Sequence, residues 1–250
     1  MKVKKILVSQ PQPENDKSPY FDIATKYNVQ IDFRPFIKVQ GLTASEFRKQ
    51  KIYIQDYSAI IFTSKNAVDH FFRLCSELRY TVPETLKYFC ITEAIALYTQ
   101  KYIVYRKRKI FYGNRDLTEL VDLMRKHSDD RYLLPTSDVC KEDQHQILEA
   151  GKVNYTKAVF YKTVHNNMNK INSLHEYDMI IFFSPEGIRS LQKNFPDFQQ
   201  DSLRIGAFGN ATAQAVSEAG LRLDLSAPKP ESPSMTMALD LYLSQVNNSK

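Results

Sequence analysis

Short apolar runs along the chain alternate with stretches in which hydrophobic residues recur every three or four positions. Lys4–Ser9 reads as a buried strand after a basic start, and Tyr20–Tyr27 as a short helix with Phe21, Ala24 and Tyr27 on one side. Val29–Phe33 alternates as a second strand. Pro35 interrupts a stretch that resumes as Phe36–Val39, a candidate crossing between domains. Thr43–Gln50 predicts a short helix capped by Thr43, with Glu46 at the capping-box position. Tyr57–Phe62 is a buried strand. Asn66–Leu78 is an amphipathic helix with Ala67, Phe71, Leu74, Cys75 and Leu78 on one stripe. The pattern continues as strand Leu86–Ile91, helices Glu93–Thr99 and Leu117–His127, and strand Tyr132–Leu134. Helix Asp143–Ala150 follows, stopped by Gly151, and then strand Lys157–Val164. This order argues for parallel sheets covered by helices.

An internal repeat organises the pattern. Ile60-Ile61-Phe62-Thr63-Ser64-Lys65-Asn66-Ala67-Val68 matches Ile180-Ile181-Phe182-Phe183-Ser184-Pro185-Glu186-Gly187-Ile188 at an offset of 120 residues. Phe89-Cys90-Ile91-Thr92-Glu93-Ala94-Ile95-Ala96 pairs with Gly206-Ala207-Phe208-Gly209-Asn210-Ala211-Thr212-Ala213 at an offset of 117. Each match is a buried strand, a turn and the start of a helix, so the chain reads as two similar α/β domains.

The length of 250 residues accommodates that reading. No apolar run approaches the ~20 residues of a membrane span. Lysine and arginine total 34 against 28 acidic residues, a net charge of +6, which suits a polyanionic partner. The basic residues are dispersed apart from Arg106–Lys109, which reads as a solvated face or basic hairpin. Cys75, Cys90 and Cys140 lie far apart in no ligand spacing, and the five histidines offer no metal pair. No signal-peptide core follows the basic start, so a cytoplasmic location is expected.

In an open parallel sheet, ligands bind beyond the carboxyl ends of the strands. Four turns fall there: Thr63–Asn66, Thr92–Glu93, Ser184–Gly187 and Gly209–Thr212. Each places small or hydroxyl residues where unpaired helix amides attract carboxylates or phosphates, although plain helix capping explains any one of them equally well. There is no GxGxxG, P-loop or HExxH motif. Ser184 has no nucleophile-elbow context, and Cys90 sits inside an apolar strand as a structural thiol. The residues alone point to a metal-free binder of an anionic ligand without naming a reaction.

The ordered set of Ile61–Val68, Val159-Phe160-Tyr161-Lys162-Thr163, Ile181–Ile188, Phe208–Ala213 and Gly220-Leu221 resembles the uroporphyrinogen-III synthase family over nearly the whole chain. The resemblance implies two parallel-sheet α/β/α lobes joined by a two-segment linker. The first lobe would combine residues 1–35 and 166–250, and the second would be an insert of 41–158. The crossings would be 36–40 and 159–165. It also implies a substrate, hydroxymethylbilane, held in a cleft between the lobes. This linear tetrapyrrole, carrying eight carboxylates, would be cyclised to uroporphyrinogen III with inversion of ring D and loss of water. In the family's type of mechanism, loss of the terminal hydroxyl gives an azafulvene cation. Attack through the substituted carbon of ring D gives a spirocyclic pyrrolenine, which fragments and recloses.

No cofactor or metal is implied, no nucleic acid or membrane partner is expected, and a monomer is the default expectation. Tyr161 matches the family's functional tyrosine and is the leading candidate for assisting departure of the hydroxyl. Thr63, Ser64, Thr92, Ser184, Pro185, Asn210 and Thr212 would bind acetate and propionate side chains. Gly209 would let a carboxylate approach the backbone, and Lys65 and Arg189 would add positive charge. The chain departs from the family pattern at Thr92, where glycine is usual, and at Ile95, where threonine is usual. It departs also at the turn expected at Pro135-Thr136-Ser137 and in the basic, aromatic segment Tyr102–Tyr112. Two other readings remain open: a non-catalytic sensor for a tetrapyrrole or other polyanion, and a nucleic-acid-associated protein using Arg106–Lys109.

Overall fold

The computed structural model describes residues 2–15, 17–113, 117–139, 142–169, 171 and 173–248, so Cys140 lies outside the described residues. The chain forms two units: residues up to Lys38 together with those from Val164 onward, and Val39–Thr163.

The first unit opens with β1 (Lys5–Val8), α1 (Pro19–Tyr27) and β2 (Gln30–Phe33), and β3 (Ile37–Gly41) leads out of it. The second unit runs through α2 (Ala44–Arg48), β4 (Ala59–Phe62), α3 (Lys65–Glu77), β5 (Lys87–Cys90), α4 (Glu93–Tyr98), β6 (Ile110–Tyr112), α5 (Leu117–Arg125), β7 (Tyr132–Ser137), α6 (Glu142–Ala150) and the long β8 (Tyr155–His165). The chain then completes the first unit with β9 (Met179–Phe182), α7 (Pro185–Asn194), β10 (Arg204–Phe208), α8 (Asn210–Glu218), β11 (Leu225–Ala227) and α9 (Met235–Asn248).

The first unit's sheet has the order β11-β10-β9-β1-β2, with every neighbouring pair parallel. Strand alternation divides its apolar residues between two faces. Ile6, Val8, Met179 and Ile181 pack with α1 and α9, whereas Leu7, Ile180, Phe182, Ile205 and Ala207 pack with α7 and α8. The result is an α/β/α sandwich. In α1 the inward face differs from the expected one: Tyr20 and Ile23 are buried, while Phe21, Ala24 and Tyr27 are only half-buried. Packing against β1, β9 and α9 selects the inward face, which the Phe21–Ala24–Tyr27 spacing alone cannot fix.

The second unit's sheet has the order β3-β8-β7-β4-β5-β6. Ile60, Phe62, Tyr88, Cys90 and Leu133 face α3 and α4, and Ala59, Ile61, Phe89, Tyr132 and Leu134 face α5 and α6. Thr43 and Glu46 form the expected capping box of α2, with the Thr43 amide donating to Glu46 Oε2 at 2.8 Å and the Glu46 amide donating to Thr43 Oγ1 at 3.2 Å. That box and Lys162 hold the half-buried Glu46 carboxyl down at about 2. Burial pushes the Cys75 and Cys90 thiols up to about 12, so both are inert core thiols.

Two expectations for this unit are corrected. Pro135-Thr136-Ser137 is the end of β7, not a turn. The Tyr132 amide faces β8, where it donates to the Asn154 carbonyl. By alternation position 135 faces β4, and the next bond of that ladder would run from its amide to the Ile61 carbonyl. Proline's missing N–H ends the β4–β7 ladder at Leu133, while β7 goes on pairing with β8. Of the two readings of Arg106–Lys109, a solvated face or a basic hairpin, the hairpin is corrected: the segment feeds the parallel strand β6, with Lys107 and Arg108 exposed. Arg106 pairs with the Glu84 carboxylate at 2.8 Å, and Lys109 Nζ donates to the Glu84 carbonyl at 2.6 Å. Tyr98, Lys101 and Tyr102 all donate to Asp69, and Tyr112 donates to Glu93. The basic, aromatic stretch is thus tied into its own unit. No helix among the described residues is long and apolar enough to cross a membrane.

Candidate functional site

Each sheet reverses its strand order once. In the second unit β4 leads on to β5 and β6 in one direction, while β7 leads to β8 in the other, so the switch lies between β4 and β7. In the first unit it lies between β1 and β9. Crevices at such points are the preferred ligand sites of doubly wound sheets. The β4–β7 ladder holds only at Ala59↔Tyr132 and Ile60↔Leu133, whereas β7 stays paired with β8 as far as Ser137. The β4–β7 pairing therefore stops before the carboxyl ends of the two strands, at the switch-point opening.

Tyr161 stands at this opening. It lies opposite Ser137 on β8, just past a register shift between Thr136 and Ser137. Its phenol oxygen is 3.3 Å from Ser64 Oγ, at the end of the turn that follows β4. The side chain is 8% exposed, and its ring stacks on His70 with centroids 5.0 Å apart. Ser64 also caps α3, its Oγ accepting from the Ala67 amide at 3.1 Å. Thr63 is half-buried just before it. Lys65 is exposed, with its ammonium 5.2 Å from the centre of the Tyr98 ring.

The other three turns differ from one another in ways that matter for an anion. Thr92 caps α4 by accepting from the Ile95 amide at 3.4 Å, but Glu93 puts a carboxylate in the first turn. Ser184 caps α7 by accepting from the Gly187 amide at 3.3 Å. Pro185 removes one amide donor there, and Glu186 again supplies a carboxylate, paired with Arg189 and 3.5 Å from His165 Nε2. A helix start that already holds a carboxylate is a poor site for another. This weighs against Thr92, Ser184, Pro185 and Arg189 as carboxylate ligands. The starts of α3 and α8 carry no acidic residue in their first turns.

The α8 start has no side-chain cap. Gly209 sits there at φ +88° and ψ 146°, with its amide donating to the Ala227 carbonyl at 2.6 Å. Asn210 is exposed, and Thr212 is only 2% exposed, so a ligand would meet the amides of residues 210 and 211 before the Thr212 hydroxyl. An alanine Cβ at position 209 would have nothing within 4 Å, so the cost of Gly209→Ala is backbone strain, about 1–3 kcal/mol. Urea denaturation should show an unfolding free energy lowered by that amount, seen as a lower midpoint at unchanged m-value, and an unchanged midpoint would mean that the turn relaxes freely.

His70 and Arg73 have no signal in sequence spacing that leads to Tyr161. Their link to it is tertiary, and only the i,i+3 relation of the pair along α3 is local. His165 and Glu186 are likewise joined only by the fold. Among the described residues no three His, Cys, Asp or Glu side chains are grouped so as to hold a metal ion.

The sequence profile of the family described as uroporphyrinogen-III synthase HemD matches residues 22–237. No curated protein sequence matches. The solved uroporphyrinogen-III synthetase from Helicobacter pylori 26695 superposes with a TM-score of 0.61 at 17% identity, covering 97% of this chain and 99% of that one. A mutant uroporphyrinogen III synthase from Thermus thermophilus gives 0.53 at 12% identity, covering 99% and 100%. At these identities the two structures speak for the fold, and the profile match over most of the chain supplies the lineage. Two α/β units built on parallel ladders, with that profile running across both, place the chain in the uroporphyrinogen-III synthase family.

Proposed function

We propose that the protein is a uroporphyrinogen-III synthase. It would cyclise hydroxymethylbilane, inverting ring D and releasing the terminal hydroxyl as water, without a cofactor. The observation that carries this reading is the Tyr161 phenol 3.3 Å from Ser64, at the switch-point opening of the second unit and beside the start of α3. A phenol there is a proton donor for the departing hydroxyl. As the C–O bond breaks, the phenolic proton goes to the leaving oxygen, giving water and an azafulvene cation. The phenolate then lies beside that cation and can take back the proton lost when the macrocycle rearomatises.

The α3 and α8 starts offer unpaired backbone amides suited to acetate and propionate carboxylates. Lys65 adds an exposed cation at the first of these. The net charge of +6 favours approach of a substrate with eight carboxylates. Much of the remaining task is holding a flexible chain so that inverted closure outruns direct closure.

The test supplies freshly prepared hydroxymethylbilane and separates the oxidised uroporphyrin isomers. Isomer III should dominate over the spontaneous isomer I. Isomer I alone, from protein shown to be folded, would overturn the enzyme reading in favour of a non-catalytic binder.

A further inference from the structure

We propose that His70, fixed by Arg73 where that arginine passes over Gly41, is the positioning residue that holds the Tyr161 phenol against Ser64. This rests on the reading of Tyr161 as the proton donor. The chain of contacts is continuous. The His70 and Tyr161 rings stack at 5.0 Å with their planes 23° apart. Arg73 Nε donates to His70 Nδ1 at 3.3 Å. One Arg73 Nη donates to the Leu42 carbonyl at 2.7 Å, and the other pairs with Glu77. A Cβ on Gly41 would lie 2.4 Å from the Arg73 Nη2 atom, so the glycine leaves the space through which the guanidinium reaches Leu42.

This arrangement fixes more than a ring position. With Nδ1 accepting from Arg73, the proton of the imidazole is on Nε2, and the ring is neutral. Burial and the Arg73 charge both oppose protonation, against a smaller opposite pull from Asp69. A neutral, immobile ring is a suitable face for Tyr161 to lie on, because it adds no positive charge beside a substrate that becomes cationic. The strand β8, the imidazole plane and Ser64 thereby all restrain the phenol. Ser64 is fixed in turn by the Ala67 amide.

Nuclear magnetic resonance of the full-length protein, carrying a carbon-13 label at the ζ carbon of every tyrosine, tests this. Of its 15 tyrosine resonances, the one absent from Tyr161→Phe belongs to Tyr161. In His70→Ala that resonance should shift or broaden, and in His70→Phe, which restores a stacking ring, it should return toward its wild-type position. In the isomer III assay His70→Ala should lower kcat about tenfold with KM unchanged. His70→Phe should recover most of that loss. In the Tyr161→Phe background His70→Ala should cost less than about twofold, because its effect passes through the phenol. An unmoved Tyr161 resonance in His70→Ala would overturn the proposal. So would an equal loss of activity in both backgrounds. Should His70→Ala not fold, Gly41→Ala, which displaces Arg73 and leaves the histidine, carries the same comparison: a shifted resonance supports the proposal and an unmoved one overturns it. If the wild type makes no isomer III, the enzyme reading fails, while the tyrosine resonance still decides whether His70 holds the phenol.

Discussion

Tyr161→Phe should lower kcat for isomer III about a hundredfold, with KM and the melting temperature nearly unchanged. The asymmetry follows from what the substitution removes. The ring stays: it belongs to the core cluster of the second unit and keeps its stack on His70. The hydroxyl goes, and with it a 3.3 Å contact to Ser64, longer than the usual O–H···O range. A single hydrogen bond of this kind contributes about 0.5–1.5 kcal/mol at most, and Ser64 keeps its bond from the Ala67 amide. Stability is therefore little affected. Catalysis loses a proton donor at the step where C–O cleavage needs one, and general acid assistance is worth at least about a hundredfold. Initial rates across hydroxymethylbilane concentrations separate kcat from KM. A drop in kcat of less than threefold would remove Tyr161 from the donor role. A rise in KM with kcat unchanged would make it a binding group instead.

The sequence exposes this site unevenly, and the unevenness has a physical basis. Capping and repeat signals are local. Thr43 with Glu46, Ser64 at the start of α3 and Ser184 at the start of α7 are legible because the partner amide lies three residues away. The four repeat turns are legible for the same reason. Whether a turn can accept an anion is also written nearby, in Glu93 and Glu186, but only the placement of those residues in the first helical turns makes the point.

Non-local features are hidden. Strand β6 is three residues long and follows a run of cations, so neither length nor alternation marks it. Pro135 stands where the resemblance puts a turn; the strand accommodates it because its missing N–H ends only the β4 side of the pairing, while the β8 side continues to Ser137. The hydrophobic pattern names no element after Gly220-Leu221, whereas β11 and α9 complete the first unit. The roles of Asp69, His70 and Arg73 depend on partners brought in by folding: Tyr98, Lys101 and Tyr102 for the first, Tyr161 for the second and Leu42 for the third.

The second large effect concerns what holds the Ser64 turn in place. Phe62→Ala should destabilise the second unit by about 3–5 kcal/mol, the usual cost of emptying a buried phenylalanine site. Phe62 is the last residue of β4, two positions before Ser64, and is fully buried. Its ring meets Phe71 at 5.6 Å and Phe72 at 6.3 Å, both on α3, and stacks on Tyr88 of β5 at 5.9 Å. The same side chain thus packs the strand, its neighbour in the sheet and the helix whose start is the candidate anion site. All four rings lie within residues 39–163, so the loss should register there first. Native-state hydrogen exchange provides the measurement. Amides of β4, β5 and α3 should lose protection more than a hundredfold, since each 1.4 kcal/mol is a factor of ten. Those of β9 and β10, whose apolar residues pack within the other unit's clusters, should change far less. A loss under about 1 kcal/mol would mean that the neighbouring rings collapse into the gap. In that case the turn would owe its position to the Ser64 cap and the Tyr161 contact rather than to the aromatic cluster beneath it.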